Sequence, residues 1–106
     1  MTLKQVEEYL LSLPGAKLGY PFGENTAVYK VNDKMFAIVQ QNKDPLQISL
    51  KCDPVLAIHL RDKYESVMPG YHLNKKHWNT IILTGQLSWD EVKDLIKHSY
   101  DLVAKT

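Results

Sequence analysis

The residues with the most chemical potential fall in one stretch, SVMPGYHLNKKHWNT, spanning positions 66 to 80. It brings together Tyr71, His72, Asn74, Lys75, Lys76, His77, Trp78 and Asn79, and from Ser66 to Trp89 the chain has no Asp or Glu. A set of this kind suits anions. Lysine offers a point charge to phosphate, and asparagine offers both a donor and an acceptor to a base edge. Indole and phenol rings can stack on bases or wedge into a groove. The same residues also have a purely structural reading. Trp78 can pack in the core, Lys75 and Lys76 can form a solvated turn, and His72 and His77 can pin the loop through hydrogen bonds.

Other candidates are weaker. Cys52 precedes a helix start and follows Lys51, a setting that can lower a thiol pKa, but nothing in the sequence pairs it with a base, so a buried small residue is the expectation. His59, His72, His77 and His98 lack the tight spacing of zinc ligands, and no metal or cofactor is expected. His98 lies four positions after Asp94 and reads as half of a surface pair. Gly15, Gly19 and Gly23 do not join a strand to a helix as a phosphate loop does. No nucleophile elbow or catalytic carboxylate pair is present, so a non-enzyme is expected.

The elements that hold this stretch can be read from local pattern. Thr2 and Gln5 form a capping box ahead of Leu3, Val6, Leu10 and Leu13, and Pro14-Gly15 ends that helix. The stretch AKLGYPFGEN reads as a loop with Tyr20 and Phe22 as aromatic anchors. Strands are predicted at 26–31, 35–40 and 46–51, the last alternating Leu46, Ile48 and Leu50 against Gln47, Ser49 and Lys51. Asp53 as N-cap with Pro54 behind it opens a second helix, which gives way at Glu65-Ser66. A further strand is predicted at 80–84, and Ser88 with Glu91 caps a last helix that runs to about Ala104. The order α-β-β-β-α-β-α implies an α+β fold, mainly an antiparallel sheet with helices packed on one side.

The 106 residues fit one domain, taken as 1–106. Thirteen Lys and Arg against twelve Asp and Glu give a charge of +1, which excludes a polybasic tail. No apolar run is long enough to span a bilayer, and a single cysteine excludes an internal disulfide. With no signal-peptide pattern at the start, a cytoplasmic protein is expected.

Seven segments in order resemble one family. They are PGA at 14–16, YPFG at 20–23, KMFA at 34–37, ISLKCDP at 48–54, LR at 60–61, PGYHLNKKHWNTIIL at 69–83 and SYDLV at 99–103. Together they look like the MmcQ/YjbR family of small bacterial proteins. The resemblance implies a frataxin-like (CyaY-like) fold and a double-wing DNA-binding domain, and it carries the family motif onto His72, Leu73, Asn74, Lys75, His77 and Trp78. The chain ends soon after Ser99-Tyr100, so the C-terminal extensions of longer relatives are expected to be absent. Iron binding is not expected, because the first helix has only Glu7 and Glu8 rather than an acidic ridge.

Two functional readings follow. In one, the protein binds DNA without catalysis: Lys75 and Lys76 meet phosphates, His72, Asn74, His77, Trp78 and Asn79 lie near backbone or base edges, and Lys51 and Arg61 widen the positive surface. In the other, the same loop, with Tyr20 and Phe22, lines a shallow pocket for a small molecule or a protein partner.

Overall fold

The computed structural model describes residues 1–70 and 73–105. The chain runs α1 (Leu3–Ser12), β1 (Lys17–Gly19), β2 (Thr26–Val31), β3 (Lys34–Gln40), β4 (Gln47–Lys51), α2 (Pro54–Lys63), β5 (Val67–Pro69), β6 (Trp78–Ile82) and α3 (Trp89–Ala104). The strands form one sheet in the order β1-β2-β3-β4-β6-β5, every neighbouring pair antiparallel. The fold is therefore α+β, as the element order implies.

Local chemistry sets the helix ends. Both capping boxes form: Thr2 and Gln5 exchange bonds of 3.1 and 3.2 Å, and Ser88 and Glu91 exchange bonds of 3.1 and 3.0 Å. Each satisfies two of the N–H groups that a helix start leaves open. The Asp53 carboxylate accepts from the Val55 and Leu56 N–H groups at 3.1 Å, and Pro54 follows at the first helical position.

The helices pack on one face of the sheet. Val6 and Leu10 of α1 and Val92, Ile96, Tyr100 and Val103 of α3 join Ala27, Tyr29, Val39, Ile48, Leu50 and Ile81 in one apolar cluster, with Leu60 and Tyr64 of α2 against it. A β-bulge between Tyr29 and Lys30 in the β2–β3 pairing shifts the register, and Phe36 is buried against Tyr100, edge to face at 5.4 Å. The buried Tyr29 hydroxyl is harder to ionise than usual, through burial first and the nearby Glu7 second. On the opposite face, Ser49 points away from the helices as the alternation predicts, yet it is buried, and its hydroxyl bonds that of Thr80 at 2.8 Å.

Three elements differ from the sequence expectation. The segment AKLG is not all loop: Lys17–Gly19 adds an edge strand to β2. Val67–Pro69 is a second short edge strand, on β6. The last strand, β6, begins at Trp78 rather than Thr80, because Trp78 and Asn79 pair with Lys51 and Leu50 of β4. Among the described residues, no helix is long and apolar enough to cross a membrane.

Candidate nucleic-acid interface

The described part of the loop before β6, residues 73–77, is tied down at several points. The Asn74 carbonyl accepts from the His77 and Trp78 N–H groups at 3.2 and 2.9 Å, closing a turn. The Asn74 side chain tightens it, its Oδ1 accepting from the Lys76 N–H at 3.0 Å. This is an Asx turn, a local bond that asparagine makes readily. Arg61 Nη2 reaches from α2 to donate to the Lys75 carbonyl at 2.8 Å, and the Cys52 N–H donates to the His77 carbonyl at 2.8 Å. At the other end, the Gly70 N–H donates to the Trp78 carbonyl at 2.9 Å. The chains approach so closely there that a Cβ on Gly70 would sit 2.8 Å from Trp78 Cβ.

This scaffold presents Lys75 and Lys76 outward, both exposed. Among the described residues, no carboxylate lies within 4.0 Å of the ammonium groups of Lys51, Lys75 or Lys76. Lys51 is half-buried and directly opposite Trp78 in the β4–β6 register, on the face away from the helices, one residue beyond the core-facing Leu50. Lys30 and Lys17 lie on that same face. Lys30 sits between the core-facing Tyr29 and Val31, and Lys17 pairs with it directly. The ends of antiparallel strands alternate, so Lys17, Lys30, Lys51 and the 73–77 loop all stand at one end of the sheet. From Lys17 on β1 to Lys51 on β4 is three strand steps, about 14 Å at the usual spacing.

The candidate residues thus divide. Asn74, Lys75 and Lys76 are exposed, while His77, Lys51 and Arg61 are partly so. Trp78 is 8 % exposed and belongs to the sheet rather than the loop. Asn79 is 2 % exposed, and its Nδ2 donates to the Ala57 carbonyl at 3.2 Å, so it joins β6 to α2 and does not reach a surface partner. The DNA-contact reading of both residues is corrected by this burial, and for Trp78 the core-packing alternative holds. Arg61 acts on the loop through the Lys75 carbonyl and adds a positive charge beneath it. Tyr71 and His72 lie outside the described residues.

Of two further expectations, the one for Cys52 holds and the one for His98 changes. Cys52 is buried, and its thiol is pushed up to about 11 by that burial and by the Asp53 carboxylate, with Arg61 opposing. The helix start and Lys51 beside it do not activate the thiol. His98 is not paired to Asp94 by any ion pair among the described residues; its Nε2 accepts from the Asp53 N–H at 3.1 Å, tying α3 to the start of α2. That acceptor role requires the neutral ring with its proton on Nδ1.

Tyr20, expected beside this loop, lines a different concavity. It lies at the β1–β2 edge together with Lys17, Leu18, Gly19, Val28 and Lys30, in a groove of about 690 Å³. Phe22 is 65 % exposed.

A single antiparallel sheet with helices on one face and a cluster of lysines at one end defines a small α+β domain with a cationic edge. The chain belongs to the YjbR family, whose family model matches residues 11–102. It is 37% identical over 93 residues to the uncharacterised protein YbdF of Escherichia coli O157:H7, covering 88% of this chain and 76% of that one. It is 35% identical over 100 residues to the uncharacterised protein YjbR of Escherichia coli strain K12, covering 94% and 85%. Among solved structures, the Deinococcus radiodurans protein DR2400, with a DUF419 domain, superposes with a TM-score of 0.94 at 37% identity, over 99% of this chain and 80% of that one. A Pseudomonas syringae protein superposes with a TM-score of 0.83 at 32% identity, over 97% and 99%. The frataxin-like comparison rests on the sequence resemblance alone.

Proposed function

We propose that the protein is a non-catalytic DNA-binding module that meets the phosphate backbone with Lys75, Lys76 and Lys51. One observation carries this reading: the lysine pair is exposed and free of described carboxylates, on a turn already held by Asn74, Arg61 and Cys52. A cation on a fixed loop loses little conformational freedom when it meets a phosphate, whereas a pair already neutralised by carboxylates would have to break those contacts first. The family resemblance points the same way. The burial of Trp78 and Asn79 limits base reading, so the contacts are to phosphate, which position a protein without specifying sequence.

Three phosphates neutralised give a slope of log affinity against log salt of about −3, with weak binding, roughly tens of micromolar. Fluorescence anisotropy with a short labelled duplex at two salt concentrations measures both. Lys75→Glu with Lys76→Glu removes the binding at low salt while leaving thermal unfolding unchanged. Binding that ignores salt, or that survives the double charge reversal, overturns the assignment.

A further inference from the structure

The groove at the β1–β2 edge has features that the DNA reading does not use. Lys17 and Lys30 are directly opposite each other in an antiparallel pair. Like charges in that position repel and destabilise the pairing. Among the described residues, neither is relieved by an ion pair with a carboxylate. The next directly opposed residues on the same face are Gly19 and Val28. Val28 is 1 % exposed and presents almost no surface, and β1 contributes no side chain at Gly19, so the floor is low. A Cβ on Gly19 would meet nothing nearer than Pro21 Cδ at 4.0 Å, so the space above the floor is open.

The walls are held in place. Tyr20 keeps 43 % of its surface exposed, and its hydroxyl accepts from Gln41 Nε2 at 3.1 Å; the same nitrogen donates to Glu7 at 3.1 Å. The phenol ring is therefore positioned before any ligand arrives. On the other side, Asn32 and Asp33 both adopt left-handed backbone conformations, with φ of 52° and 63°, and Asn32 Nδ2 anchors the turn to the Ala104 carbonyl at 3.2 Å. Asp33 lies at this end of the groove, beyond the lysine pair and away from Tyr20. The volume of about 690 Å³ is in the range of small-molecule sites.

We propose that this groove binds a nucleoside 5′-phosphate, with the phosphate between Lys17 and Lys30, the base on Tyr20 and the ribose between them, above Gly19 and Val28. Two adjacent ammonium groups match a dianionic phosphate, and an exposed, fixed aromatic ring is a platform for any base. The same chemistry is offered by a free nucleotide and by a nucleotide of a single strand. The site does not depend on Lys75 or Lys76.

Nitrogen–proton correlation spectra at low ionic strength test it, with adenosine monophosphate, inorganic phosphate and a single-stranded tetra-adenylate as probes. Adenosine monophosphate is expected to shift the amides of residues 15–20 and 28–33 saturably. Phosphate alone binds about tenfold more weakly, and Lys17→Ala with Lys30→Ala weakens the mononucleotide about tenfold. That double variant folds at least as stably as the parent, since it removes a like-charge pair. Tyr20→Ala weakens the mononucleotide but not phosphate. Lys75→Ala with Lys76→Ala leaves mononucleotide binding unchanged even where it abolishes duplex binding, so failure of one reading is distinguishable from failure of the other. A tetra-adenylate that binds tighter than the mononucleotide assigns the site to a strand; equal affinity assigns it to a free nucleotide. No saturable shift, phosphate binding as tightly as the mononucleotide, or an unaffected Lys17→Ala/Lys30→Ala variant overturns the proposal.

Discussion

The loop at 73–77 and the groove at β1–β2 each carry a lysine pair, at the same end of the same sheet, yet their shapes differ. Lys75 and Lys76 are sequence neighbours on an exposed turn, and among the described residues neither lines a groove. Lys17 and Lys30 are thirteen positions apart in sequence and stand over a concave floor beside an exposed ring. The charge chemistry is nearly the same in both places. Shape divides the roles: an exposed cation pair can meet an extended polyanion but cannot select a small one, whereas a groove can surround a phosphate and its ring. The loop achieves rigidity by hydrogen bonds to α2 and β4, and the groove by a pinned tyrosine and an anchored turn.

The largest effect expected from the loop's fixation is chemical. The thiol of Cys52, pushed up to about 11, holds about a hundredfold less thiolate at neutral pH than an ordinary cysteine. Its own N–H bonds the His77 carbonyl, so alkylation reports opening around the loop. Iodoacetamide labelling is expected to be slow in the native protein and to accelerate steeply in urea; fast labelling under native conditions would show that the loop is not fixed.

Gly70→Ala comes next. The new Cβ collides with Trp78 Cβ at 2.8 Å, between two backbones that cannot readily separate. Overpacking of this kind costs about 1 to 3 kcal/mol. Urea denaturation measures the loss, and the equivalent change at Gly19, where the space is open, is expected to cost less.

Arg61→Ala removes the bond to the Lys75 carbonyl. A loss of about 1 kcal/mol is expected, with faster amide exchange confined to residues 73–77. Exchange spreading into the β1–β2 groove would contradict the independence of the two regions.

The smallest effect is at the start of α3, remote from both. The Glu91 carboxyl is held below its ordinary value by the Ser88 backbone N–H first, then by the Tyr64 and Ser88 hydroxyls. A depressed carboxylate contributes stability that is present above its unfolded-state pKa and lost as pH falls through the folded value. The Glu91→Gln variant is expected to show a shallower loss of stability on acidification below the ordinary carboxylate range; identical acid profiles would remove this contribution.

What the sequence revealed depended on the range of the interaction. Both capping boxes and the Asp53-Pro54 start are legible because their partners lie three or fewer positions apart. The main strands and the face taken by Ile48 and Leu50 follow from alternation. The short strands Lys17–Gly19 and Val67–Pro69 do not, since three residues carry no periodicity and only a neighbouring strand makes them strands. The same reason hid Trp78 and Asn79 inside the sheet: their boundary is set by Lys51 and Leu50, nearly thirty positions away. The exposure of Lys75 and Lys76 could be anticipated from a turn-like, acid-free stretch. The opposition of Lys17 and Lys30 and the bond from Asp53 to His98 could not, because both are products of topology.

In the proposed function, the 73–77 turn, with Lys51 beside it, meets a nucleic-acid backbone. A nitrogen–proton correlation titration with a short DNA duplex at low salt addresses it residue by residue. The amides of 73–77 and of Lys51 are expected to move together and to return to their free positions when salt is raised. Shifts that leave those residues untouched, or no shifts at all at millimolar duplex, would contradict it.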